Sequence, residues 1–170
     1  WTANTDWWWN YLHQHDLVFS VDCKDYLDND VINVSYRKLF VRNNLANIYN
    51  GLTYFRRSVY AQKFYRLCEI ITHNWEYVKN NILIDCHDKY PSTDVVYALA
   101  YRILDPEQKN LINYPWFKFI HNKLDIQKRS NQYLMPMKVN NNVLVGTQRI
   151  HRVWHYLEKN IPEDLDARIF

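Results

Sequence analysis

Glycine is almost absent from this chain. Its 170 residues include two, Gly51 and Gly146. A P-loop, a G-x-G-x-x-G dinucleotide turn and a G-x-S-x-G nucleophile elbow all need closely spaced glycines, because backbone must approach a phosphate or turn sharply there. None of these motifs occurs, which argues against P-loop NTPases and dinucleotide-binding folds. Cysteine is scarce as well. Cys23, Cys68 and Cys86 stand singly, with no C-x-x-C and an odd count. A disulfide framework is therefore not expected, and a reducing, cytoplasmic setting is. No run of about 18 apolar residues exists to span a membrane, and no secretory signal pattern is visible. Excess charge is small too: the net charge is +3 and the pI about 8.7. That suits an anionic ligand such as a nucleotide diphosphate, but falls below the pI above ~9 expected of a duplex-DNA binder.

Aromatic side chains are abundant. Seven Trp and fourteen Tyr help to raise the aromatic share to 16%, more than an ordinary core requires. Such a surplus also suits surfaces that stack flat ligands, sugars or bases. Hydrophobic residues at 48% and charged residues at 23% indicate a globular chain, and the length fits one domain over residues 1–170. The chain opens on "WTANTDWWWNYL", with Trp rather than Met at position 1, and reads as a piece of something longer.

Hydrophobic spacing predicts the elements. "DWWWNYLHQH" has helical spacing behind Asp6, and "DLVFSV" reads as a short buried strand. Residues 22–44 read as a long polar loop with one helical turn. "NIYNGLTYFRR" reads as a strand with Gly51 near its middle, an expensive place for glycine unless a turn or a close ligand requires it. Ser58 caps the longest predicted helix, to about Asn80, with Ala61, Phe64, Leu67, Cys68, Ile71, Trp75 and Val78 on one face. "TDVVYALAYRIL" is a second helix, ended by Asp105-Pro106. Residues 116–123 read as a strand, "VNNNVLVGTQ" as a turn and strand, and "RIHRVWHYLEK" as either strand or helix. Alternating strands and helices predict an α/β fold, a short mixed sheet flanked by helices.

Four clusters could carry chemistry. In "DND", Asp28 and Asp30 could share a divalent cation, but no hydrophobic strand delivers them, and a solvated acidic loop is the simpler reading. In "FIHNKLDIQ", His121 and Lys123 lie on one side of an extended segment, where a neutral imidazole could bind metal and an ammonium a phosphate. In "HRVWH", His151 and His155 could chelate a metal, or simply pack. Asp94 stands in the first turn of a helix, where the dipole favours a carboxylate and where ligand crevices open in α/β folds.

The order of three of these segments resembles the C-terminal part of GT-A-fold glycosyltransferases, close to family 8 and its phage-encoded relatives. "YNGLTYFRRS" is similar to that family's Asn-(Ala/Gly)-Gly strand leading into a capped helix. "TDVVYALA" is similar to its Asp-bearing helix, and "HNK" to a shortened form of its terminal His…Lys motif. The similarity covers about Asp16 to Gln127. It implies that Asn50 and Gly51 line the catalytic cleft, that Asp94 contacts the donor or acceptor sugar, that His121 binds Mn²⁺ or Mg²⁺, and that Lys123 meets the diphosphate. The partners it implies are a nucleotide-sugar donor and a glycan or other hydroxyl acceptor. "HNK" lacks the family's Gly and Pro-Trp. The nucleotide-binding half, with its strand-borne D-x-D, would lie upstream of Trp1. Two alternatives follow from the residues: a single-stranded nucleic-acid module, suggested by "YFRRS" and "QKRS" but not favoured by the mild charge, and a sugar-binding domain without catalysis.

Overall fold

The computed structural model describes residues 5–25, 28–31, 37–118, 120–122, 136–139, 142–145, 148–150 and 154–156. A 3₁₀ turn (Asp6–Trp8) runs into α1 (Trp9–Leu12), then β1 (Leu17–Val21), α2 (Lys38–Arg42), β2 (Ile48–Phe55), α3 (Val59–His73), α4 (Trp75–Asn81) and α5 (Thr93–Leu104). Short strands follow: β3 (Ile120–Asn122), β4 (Pro136–Val139), β5 (Asn142–Val145), β6 (Gln148–Ile150) and β7 (Trp154–Tyr156). The fold is mixed α/β.

The two-stranded antiparallel sheet β1–β2 lies between two hydrophobic cores. All of β1 is buried, so its alternation is not apolar against polar but one core against the other. Leu17, Phe19 and Val21 pack with Phe64, Ile71 and Leu99 from the helices. Val18 faces the other way, with Trp8, Leu12, Tyr49, Leu52 and Phe117. A two-stranded ribbon is marginal in isolation, and here both faces are covered. Among the described residues, many of the aromatic side chains pack in these cores: Phe19 meets Phe64 at 5.2 Å and Tyr101 at 5.6 Å between ring centroids, while Trp8 meets Phe117 at 5.3 Å.

The long helix expected over 58–80 is divided. The Ser58 hydroxyl accepts the Ala61 N–H and caps α3 as expected. At Asn74 the backbone leaves helical geometry, with φ −106° and ψ 28°, and the Asn74 Nδ2 donates to the Ile70 carbonyl at 2.8 Å. An Asn side chain that bonds the preceding turn competes with the backbone ladder there. The apolar period continues through the break, so Trp75 and Val78 of α4 still reach the same core. The helix 93–104 follows the expected bounds. The stretch 116–123, expected as a strand running into a loop, starts in a turn at Pro115 and Trp116; among the described residues its strand is β3, Ile120–Asn122. The two-way segment 149–159 contains strand at Trp154–Tyr156, paired in parallel with β3. Among the described residues no helix is long and apolar enough to cross a membrane.

Candidate functional site

The polar centre of the molecule is Arg37, which immediately precedes α2. It is 1% exposed. Its guanidinium lies between two rings, 3.7 Å from the Phe40 centroid and 3.8 Å from that of Tyr49. A weakly hydrated, planar cation is the one that tolerates this sandwich. Its N–H groups are taken up in the ring plane. Nε and Nη2 donate to Asn47 Oδ1 at 2.8 and 2.6 Å, Nη2 also to the Ile48 carbonyl at 2.6 Å, and Nη1 to Asp94 Oδ2 at 2.8 Å. Buried charge is tolerable only when it is paired and hydrogen-bonded in this way.

Asp94 reaches Arg37 from the first turn of α5, where the helix dipole favours it. Its other oxygen, Oδ1, accepts the backbone N–H of Asn50 at 2.8 Å. That N–H is available because the β1–β2 ladder is interrupted there. Phe19 pairs with Thr53 and the next residue, Ser20, with Tyr49, so Asn50, Gly51 and Leu52 have no register partner on β1. The bulge turns Leu52 into the second core and leaves Gly51 exposed. Gly51 is therefore not a weak point in a regular ladder. It supplies bare backbone on an irregular loop of strand beside a carboxylate, and Asp94 remains 25% exposed at its side chain. Chemically, this corner offers a partly accessible carboxylate acceptor, held by two hydrogen bonds, next to backbone that a flat or bulky ligand could approach closely.

Of the residues singled out from sequence, Asp94, Asn50 and Gly51 thus converge. The backbone of His121 pairs with that of His155 in the β3–β7 ladder, and a bridge between Lys24 and Ile120 sets β3 beside the chain just past β1. The His121 side chain, Lys123 and His151 lie outside the described residues. Asp28 and Asp30 are exposed and share Lys24, whose Nζ is 3.2 and 4.0 Å from their carboxylates, which is the solvated-loop arrangement. Among the described residues no three His, Cys, Asp or Glu side chains converge in a metal-binding group. Both Asp94 oxygens already have donors, so the described residues alone do not form the donor set of Mn²⁺ or Mg²⁺.

Arg37 and Asn47 escaped the sequence reading. Arg37 lies in a polar run that reads as loop, and a buried arginine carries no period. The usable signal was indirect: Arg37, Phe40, Asn47 and Tyr49 put a cation, an amide and two rings within one short stretch. Compared with protein-family models, curated proteins and solved structures, the chain matches none.

Proposed function

We propose that this chain is the acceptor-side part of a nucleotide-sugar glycosyltransferase, with Asp94, Asn50 and Gly51 lining the sugar-binding cleft. The observation that carries the reading is the bond from the Asn50 N–H to Asp94 across 44 residues of sequence. Two of the three segments behind the family resemblance meet in one partly open corner. In this reading Asp94 orients a sugar hydroxyl as an acceptor. Its pairing with Arg37 holds it in place, which suits positioning, where misplacement is costly. The bare backbone at Gly51 leaves room for a pyranose ring. The segment bearing His121 and Lys123 would meet the diphosphate, and a Mn²⁺ or Mg²⁺ ion there would offset charge on the leaving group.

The test is donor turnover by the full-length protein. It should release nucleoside diphosphate from one of a panel of nucleotide sugars, and release should require the acceptor corner. Gly51→Val should lower turnover at least tenfold while leaving the melting temperature nearly unchanged, because Val suits strands and position 51 is exposed. Turnover unaffected by Gly51→Val, or no stabilisation by UDP or GDP with Mn²⁺ and no release from any donor, removes the proposal.

A further inference from the structure

The outer side of α3 carries two open hollows of similar size that share a wall. The first, about 540 Å³, occupies the corner between β2 and α3. The rings of Phe55 and Tyr65, in edge contact at 5.2 Å, make its aromatic side, and Arg57 stands at its edge. The second, about 550 Å³, lies between α3 and α5, with Val59, Leu67 and Ile103 as apolar walls and Lys63 at its rim. Gln62 and Arg66 line both, so the ridge between the hollows is polar and cationic. Phe55 is 58% exposed, so its ring is open to a ligand.

The charges on this flank are unevenly engaged. Arg56 is held by Asp16 and the His13 carbonyl. Arg66 pairs with Glu69, also on the flank, but both are exposed, and such pairs exchange readily for a better anion. Arg57 and Lys63 have no acidic partner among the described residues. The net charge of +3, which looked too mild for nucleic acid, thus understates the local field: the hollows are lined by Arg56, Arg57, Lys63 and Arg66 against Glu69, with Asp16 engaged by Arg56.

We propose that this flank binds a single strand of nucleic acid. One base enters the first hollow against Phe55 and Tyr65, its neighbour enters the second, and the intervening phosphates lie on Arg57, Lys63 and Arg66. Lys63 and Arg66 stand three apart on one helix and face the same way. Rings that accept any base by stacking, beside cations that follow the backbone, form the sequence-tolerant pattern of strand binding. A duplex does not fit, because its bases are stacked away from such hollows. An acidic peptide would use the cations but not the exposed ring. The site shares no residue with the Asp94 corner, so it stands or falls independently of the transferase reading.

Fluorescence anisotropy with labelled oligo-dT and oligo-U strands of about twelve nucleotides tests this, the two arms separating DNA from RNA. Affinity should fall with salt at a log–log slope of about −2, for three neutralised phosphates on a single strand. Phe55→Ala should weaken binding roughly fivefold or more through lost stacking, and Lys63→Glu should weaken it and flatten the slope. Both residues are exposed, so both variants should melt as the parent does. Lys89→Glu, exposed ahead of the opposite end of α5 and lining neither hollow, should change nothing. The proposal is overturned if neither strand binds at about 50 mM salt, or if Phe55→Ala binds like the parent. It also fails if Lys89→Glu weakens binding as much as Lys63→Glu does, or if a poly-glutamate peptide of equal charge binds as tightly.

Discussion

Arg37 shows how one side chain can tie sequence-distant segments together. Its guanidinium joins Asn47 and Ile48, at the start of β2, to Asp94 at the start of α5, and Asp94 in turn holds the Asn50 N–H. Removing one partner leaves a buried cation short of an acceptor, which costs far more than the pair contributes in net terms. Asp94→Ala should therefore destabilise the fold by about 2–3 kcal/mol, less than the ~3–5 of a fully enclosed pair because Asn47 and Ile48 still accept from Arg37. Urea unfolding measures it. An unchanged midpoint would mean that water replaces the carboxylate, and the corner is softer than the geometry implies. Asp94→Asn, which keeps an acceptor for Asn50, should lose about half as much. The comparison matters for function: turnover lost by Asp94→Asn beyond its stability loss belongs to the sugar and not to the fold.

At the scale of elements, the working parts are an interruption and a cap. The bulge in β2 frees the Asn50 N–H and exposes Gly51; a regular ladder would have paired both. Immediately downstream, α3 begins at Ser58, whose hydroxyl satisfies one orphan N–H of the first turn. Ser58→Ala should cost about 1 kcal/mol and Ser58→Asn much less, since Asn also accepts from the helix start and adds no charge beside Asp16. Thermal unfolding checks this, and equal losses for the two variants would show that the hydroxyl serves something other than the cap. The break at Asn74 has the opposite character. Its side chain bonds back to Ile70, and the apolar stripe passes through it without losing register with the core.

At the scale of the molecule, carboxylates hold the ends of the sheet and of α5. Asp16 joins Arg56 across the β1–β2 pair at 2.7 Å, and this hydrogen bond keeps its carboxyl below the usual range against the opposing cost of burial. Asp105 ends α5 and accepts the Asn110 N–H at 2.8 Å; that backbone bond is the main reason its carboxyl is also lowered. A carboxyl that is more acidic in the folded than in the unfolded chain stabilises the fold above its unfolded value near 3.9, and that contribution disappears as pH falls through the lowered folded value. The urea midpoint should accordingly drop below about pH 4, and Asp105→Asn should reduce both the neutral-pH stability and the steepness of that drop. A midpoint that rises on acidification, or an acid slope unchanged in Asp105→Asn, would show that these bonds also persist in the unfolded chain.

Sequence alone determined the local elements wherever one residue governs local geometry. Asp105-Pro106 ended α5, Ser58 opened α3, a short apolar run gave β1, and period-3.6 spacing gave α3 and α5, since steric and capping rules act over a few residues. It also singled out Gly51 and Asp94, an expensive glycine and a carboxylate at a helix start. Only the tertiary structure decided that these two belong together. The bond between Asn50 and Asp94 spans two elements, and the cation that makes it tolerable, Arg37, comes from a third, in a stretch with no periodic signal. The same holds for the flank of α3: "YFRRS" is legible, but a hollow forms only where β2 turns against the helix it precedes, and spacing along a chain does not encode the space between elements.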